Sequence, residues 1–391
     1  MYEGGKVMKG ILLTIKWVFI SILILLAVGS SAIVLHNVTI PEVTPNPEQL
    51  SKEEKARLNE ATHLRSEIGN EVWPGWGNSD IPTLLYNEKY AFLTGMDNPD
   101  EGWFRVPYSG REGGIWEYVP DKGYYRQELP ATGETPQAFT VKIGDEYAAS
   151  MTTKEWTGIK LMNMIKADVP WYVAPFIPYG LVINQFNSDW HISAILHESF
   201  HAYQAKVNYN RFKQAELAAQ WEKNYLWDDQ SFRTMWKKER GLLATAMQEE
   251  NGAKRNELVS QWWKVRTQRR QKLSDELIEY EKEREWLEGM AKYAEVQIWK
   301  KAGASTEYRS VSEMSKVSDF DTYNGSEKQW EKELNQLKNG NKFSESMFYY
   351  SGWAQAELLD RLHANWKARI FDEGVYLEDL LWEADTISLE S

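Results

Sequence analysis

The stretch Asn187-Ser188-Asp189-Trp190-His191-Ile192-Ser193-Ala194-Ile195-Leu196-His197-Glu198-Ser199-Phe200-His201 decides how the rest of the chain is read. Its last five residues follow H-E-x-x-H, the spacing of a zinc site. Two histidines four apart on a helix lie about 40° apart around its axis, so both imidazoles reach one cation. Glu198 projects from the adjacent strip, beside the cation, where it can take a proton from water. The flanks predict a helix: Asn187 or Ser188 serves as N-cap, and neither Gly nor Pro interrupts the run from Trp190 to His201. Ile192, Ile195, Leu196, Phe200 and Tyr203 fill its buried positions. His191 falls on a different face from His197 and reads as a cap or surface residue. A purely structural histidine pair would show the same spacing, so a metal reading requires a third ligand elsewhere.

Composition narrows the classes. The chain has 391 residues, 42% hydrophobic and 26% charged, enough for a large core. It has no cysteine, which excludes a disulfide scaffold and thiolate-bound zinc. A net charge of −12 argues against nucleic acid and against an anionic membrane surface as ligands. The 19 tryptophans are spread along the whole chain and read as core and interface packing, not as a carbohydrate-binding face.

The amino terminus carries its own signal. Lys6, Lys9 and Lys16 precede the uncharged run Trp17 to Leu35, and no lysine occurs after it until Lys52. With Ile11 to Ile15 included, and Lys16 able to snorkel, the run is long enough to span a bilayer. The positive-inside rule then places the amino terminus in the cytoplasm. The expected organisation is a cytoplasmic tail at 1–8, a transmembrane anchor at 9–35, a linker at 36–50 bearing Pro41, Pro45 and Pro47, and an exported domain at 51–391. This describes a single-pass cell-membrane protein with its carboxyl-terminal domain outside. The rival is a signal peptide cleaved near Ser30-Ser31-Ala32; apolar residues continue to Val34-Leu35, which favours a retained anchor.

Within the exported part, Ser51-x-x-Glu54 fits a capping box opening a polar helix. Residues 71–135, rich in Trp, Pro, Gly and Tyr, read as loops and short strands. Strands at 138–143 and 146–152 meet at Gly144-Asp145, a hairpin, and a helix is expected over 156–165. Gly180 to Phe186 is apolar and β-prone; it reads as a short strand running into the H-E-x-x-H helix, an edge for an extended peptide. The chain from 208 to 302 has helical patterning, with breaks near Asp228 and Gly252. The alternating charges from Lys264 to Glu285 read as a solvated helix face. Residues 303–342 read as irregular, and two helices close the chain.

A third ligand is available in Trp286-Leu287-Glu288-Gly289-Met290-Ala291-Lys292-Tyr293-Ala294-Glu295. A two-histidine site takes one further protein ligand and leaves a position for water. Glu288 has Gly289 and Ala291 beside it, small residues that let its helix come close. Glu295, seven residues on, faces the same way and could orient a ligand histidine. Glu281 and Glu285 are also near, and composition alone does not choose among them.

The pair His197-Glu198-x-x-His201 and Glu288-Gly289-x-Ala291-x-Tyr293-x-Glu295 resembles the gluzincin metallopeptidases, most of all the aminopeptidase-N-like branch, whose ligand helix reads W-L-N-E-G-x-A-x-Y-x-E. The resemblance implies that Glu288 is the third zinc ligand. Tyr349-Tyr350-Ser351-Gly352 with Ala356-x-x-Leu359 is similar to that branch's Y-x-x-G-x-x-x-L segment, which implies Tyr349 as oxyanion donor, with Tyr350 as the runner-up. The resemblance covers about residues 180–365. The gap between His201 and Glu288 is longer than in that branch, which implies a helical insertion. The G-x-M-E-N segment that holds a substrate's amino terminus there is absent.

The expectation is therefore an α+β, mostly helical, zincin-like catalytic domain with a small sheet and an active-site helix, preceded by one transmembrane helix. Its expected function is hydrolysis of peptide or protein substrates through a zinc-bound water, with Zn²⁺ on His197, His201 and Glu288, and Glu198 and Tyr349 as catalytic groups. The alternative is a non-catalytic envelope scaffold or sensor that keeps the zinc-site fold and binds a partner through 208–285.

Overall fold

The computed structural model describes residues 28–97, 99, 102–106, 124–130, 141–363 and 365–390. Most of the anchor expected at 9–35 lies outside them. Residues 28–39 form helix α1, and among the described residues no helix is long and apolar enough to cross a membrane.

Helix α2, Lys52–Val72, starts at Ser51, whose hydroxyl accepts from the Glu54 backbone N–H. The capping box is half made. Glu54 turns inward, pairs with Arg57 at 2.7 Å and accepts from the Glu155 N–H at 3.0 Å. Six strands come next: β1 Thr83–Tyr86, β2 Tyr90–Thr94, β3 Phe104–Val106, β4 Tyr124–Glu128, β5 Val141–Ile143 and β6 Glu146–Thr152. They form one mixed sheet in the order β3-β4-β2-β1-β6-β5. β6 runs parallel to β1, with Thr83 opposite Ala149 and Tyr86 opposite Thr152, and the other pairings are antiparallel. The β5–β6 hairpin turns at Gly144, whose φ of 59° costs a glycine nothing. Side chains alternate along the strands: Leu85, Phe92, Ala149 and Met151 enter the main core, while Leu84, Tyr86, Leu93 and Ala148 build a smaller cluster. Both faces are thus buried, so apolar residues on successive positions were required.

Helices make up the rest: α3 Lys154–Asp168, α4 Tyr179–Ile183, α5 Ser188–Val207, α6 Tyr209–Ala218, α7 Gln230–Gln248, α8 Gly252–Arg270, α9 Asp275–Arg284, α10 Met290–Ala304, α11 Ser326–Asn339, α12 Ser346–Leu362, α13 Trp366–Arg369 and α14 Leu377–Glu390. A π turn, Glu285–Gly289, joins α9 to α10 without a break in the helix. The architecture is mostly helical with a small mixed sheet, an α+β fold. α5 packs against β6, α2 and α10. Trp73 anchors this layer, meeting Phe200, Tyr293 and Trp366 edge-on at 5.1, 6.2 and 5.2 Å. The tryptophans are mainly core residues, as their scatter along the chain implies.

Four expectations are corrected. The segment 180–186 is no strand: Pro178 opens the short helix α4, and the sheet's edges are β3 and β5. The β-propensity of Val182 and Ile183 has no neighbouring strand to act on. Residues 303–342 are not wholly irregular, since they contain α11. His191 is fully buried. Its Nε2 lies 2.8 Å from the Thr152 carbonyl, tying α5 to β6, and burial pushes its imidazole down to about 4. The charges between Lys264 and Glu285 are largely not on a solvated face. Arg266, Arg269, Glu281 and Glu285 are at most 2% exposed and interlock α7, α8, α9 and α14. A one-sequence charge pattern cannot separate the two cases, because a buried ion network and a wet one use the same residues.

Candidate metal centre

Helix α5 exists because Asn187 caps it, accepting from the Trp190 N–H at 3.0 Å, and because Ile192, Ile195, Leu196 and Phe200 bury one broad face. Its remaining inward strip carries His197 and His201. Across from it, the π turn and α10 present Glu288 and Glu295. Ligand atoms of His197, His201 and Glu288 lie within 4.8 Å of one another, and all three residues are buried. His201 Nε2 is 3.1 Å from His197 Nε2 and 3.1 Å from Glu288 Oε2; His197 Nε2 is 3.5 Å from the same oxygen.

The outer partners determine what those atoms are. His197 Nδ1 lies 3.1 Å from Glu295 Oε2, an acceptor, so Nδ1 carries the proton. His201 Nδ1 lies 2.9 Å from Gln204 Oε1. The amide of Gln204 cannot be reversed, because its Nε2 donates to the Trp286 and Leu287 carbonyls at 3.0 and 3.2 Å. In its neutral form each imidazole therefore turns a bare Nε2 lone pair toward the other and toward a carboxylate oxygen. Two lone pairs and a negative oxygen at this separation repel one another, and either a proton on His197 or a metal cation between them relieves it. This buried group can hold a metal ion.

The charges nearby sharpen the preference. Burial opposes ionisation of Glu288, but His201 and Arg284 outweigh it and keep its carboxyl well below the usual range. Burial likewise opposes a charge on His197, yet Glu288 and Glu295 raise its imidazole to about 10. A centre that draws a proton this strongly is one where a positive ion is favoured.

Glu198 is partly buried, and its Oε2 is shut from solvent with no hydrogen-bond partner. Burial raises its pKa, the two histidines oppose this, and Glu288 and Glu295 reinforce it. Of the two adjacent tyrosines, Tyr349 stands at the centre: its ring lies parallel to His197 at 5.8 Å, and its hydroxyl bonds to Glu288. Tyr350 instead faces Glu333, Lys292 and Glu295. Glu285 faces away, held by Arg266 at 3.0 Å through Oε1, and Glu281 sits among Arg269 and Arg270.

Several residues at the centre escaped the sequence reading. Arg284 donates to Glu288 Oε1 at 2.6 Å, leaving Oε2 for the histidines. Lys292 holds Glu295 at 2.8 Å and reaches Glu333 at 3.1 Å. Tyr86, from β1, is pushed up to about 12 by burial and by the Glu198 carboxylate. Arg284 at i−4 from Glu288 and Gln204 at i+3 from His201 were legible as helix neighbours; nothing local marks Tyr86.

The close approach of the elements rests on two glycines. A Cβ on Gly289 would lie 2.4 Å from the Gly352 Cα, and one on Gly352 would lie 2.5 Å from the Glu285 carbonyl. Backbone meets backbone there, so no side chain can give way. Gly289→Ala should lose about 3 kcal/mol or more, at or beyond the usual upper range for overpacking, and should displace α12 with Tyr349. Thermal melting together with metal titration checks this; a variant as stable as the parent would show that the crossing is loose.

No protein-family model matches the chain, and no curated protein or solved structure matches it either.

Proposed function

We propose that the chain is a zinc-dependent metallopeptidase of gluzincin type, anchored in the cell membrane with its catalytic domain outside. The observation that carries this is the convergence of two imidazole lone pairs and a carboxylate oxygen, with an unpartnered Glu198 oxygen beside them. Two imidazoles and a carboxylate also suit ferrous iron, but an oxygenase site has no need of a free carboxylate at that position.

His197, His201 and Glu288 would hold Zn²⁺, which would supply Lewis acidity to acidify water and polarise a carbonyl. Glu198 takes the proton of the attacking water and returns it to the leaving amine; a carboxyl whose pKa is raised is suited to both steps. Tyr349 donates to the developing oxyanion once its hydroxyl turns from Glu288. Glu295 and Gln204 hold the imidazoles in the tautomer that leaves each Nε2 bare. Arg284 keeps Glu288 ionised and occupies its Oε1, leaving Oε2 turned to the histidines.

Metal analysis tests the reading. The parent should bind about one zinc per chain. Glu288→Gln should bind zinc far more weakly, whereas Glu285→Gln should bind it as the parent does, because Glu285 is turned to Arg266. No zinc uptake by the parent, or zinc lost only in Glu285→Gln, would overturn the assignment.

A further inference from the structure

The segment that follows α3, together with α4, exposes Trp171, Tyr172, Phe176 and Leu181; Trp171 is 85% and Leu181 68% exposed. Large apolar side chains grouped on a surface mark a contact with something else. The same side of the domain carries α1, whose Leu35 and Val38 are 70% and 80% exposed. α1 is fastened to the segment: Asn37 Nδ2 donates to the Pro175 and Ile177 carbonyls at 2.9 and 2.8 Å. His36 rides on Gly180 so closely that a Cβ there would lie 2.2 Å from its Nε2. Lys166 pairs with Glu42 at 2.9 Å. The uncharged run that ends at Leu35 thus passes without a spacer into contacts with the exposed aromatic segment.

We infer that residues 170–181 are a membrane-docking surface that lies in the lipid interface beside the anchor. Tryptophan and tyrosine favour that depth, with an apolar ring and a polar atom that stays wet. The lipid required is uncharged: the chain carries a net charge of −12, and the surface offers apolar side chains in place of a lysine cluster. The inference rests on the anchor expected at 9–35 and is independent of the metal centre.

The absence of cysteine makes the test clean. Trp171→Cys and Leu181→Cys each give the full-length chain one site for an environment-sensitive fluorophore, and exposed Lys254→Cys, at the start of α8, is the control. Each chain is reconstituted into phosphatidylcholine vesicles, some of whose lipids carry spin-labelled acyl chains. Labels at 171 and 181 should be quenched by about half or more, as for side chains at the acyl boundary, and the label at 254 should be unaffected. Chain that floats with the vesicles while 171 and 181 remain unquenched overturns the inference and leaves the anchor standing. Chain that does not float overturns both. Labels that change with protein concentration without lipid assign the surface to a second copy and overturn the lipid assignment.

Discussion

Glu198→Gln should keep zinc bound and lower kcat by about 10²–10⁴-fold, the usual contribution of a positioned base. Glutamine preserves the shape of the side chain but cannot take the proton from water. The ligands are untouched: His197 and His201 keep their Glu295 and Gln204 partners, and Glu288 keeps Arg284. At 1.36 kcal/mol per tenfold, the loss corresponds to roughly 3–5 kcal/mol of transition-state stabilisation. Tyr349→Phe should also keep zinc and cost about 10²–10³-fold in kcat, as for loss of one oxyanion donor, while Tyr350→Phe should cost far less because that ring faces Glu333 and Lys292. A library of quenched fluorogenic peptides provides the assay, with zinc content measured on the same samples. Unchanged turnover in Glu198→Gln would remove it as the base. Zinc-loaded parent that cleaves nothing in the library would replace the peptidase with the scaffold or sensor reading.

The largest effect on stability is expected at Glu281→Gln. Arg266, Arg269 and Arg270, with Lys282 at the margin, face Glu239, Glu281, Glu285 and Glu378. Four positive groups meet four negative ones, so the cluster is neutral overall. Glu281 accepts from Arg269 Nη2 at 3.1 Å and Arg270 Nε at 2.7 Å, and also bonds to Tyr225. Removing its charge leaves one cation in excess where Arg269 and Glu281 are both fully buried. Breaking a buried pair from one side costs about 3–5 kcal/mol, which urea unfolding would show directly. The pH dependence has a definite sign. Burial alone would raise the Glu281 carboxyl, but Arg269 and Arg270 lower it from 4.5 to about 2. Its contribution is therefore complete above about pH 4.5 and is lost as pH falls toward 2. A cost below about 1 kcal/mol, within the range of exposed pairs, would mean that water reaches the cluster.

The sequence by itself determined the helix with His197, Glu198 and His201, because a 3.6-residue repeat and an Asn187 cap are local matters. It also determined the β5–β6 hairpin, for which Gly144-Asp145 suffices. It narrowed the third ligand without choosing it: Glu281, Glu285 and Glu288 lie within two turns of one another, and only the resemblance pointed to Glu288. The tertiary structure decided which of them meets the histidines: α8 supplies Arg266, Arg269 and Arg270 to Glu281 and Glu285, and Glu288 is left facing His197 and His201. It likewise placed Tyr349 beside His197 and Tyr350 beside Glu333 and Lys292, because adjacent side chains point about 100° apart around α12 and so meet different neighbours. The buried state of His191 and of the α7–α8–α9–α14 charges came from packing between distant segments. Periodicity reports which side chains share a face; what that face meets depends on elements far away in the chain.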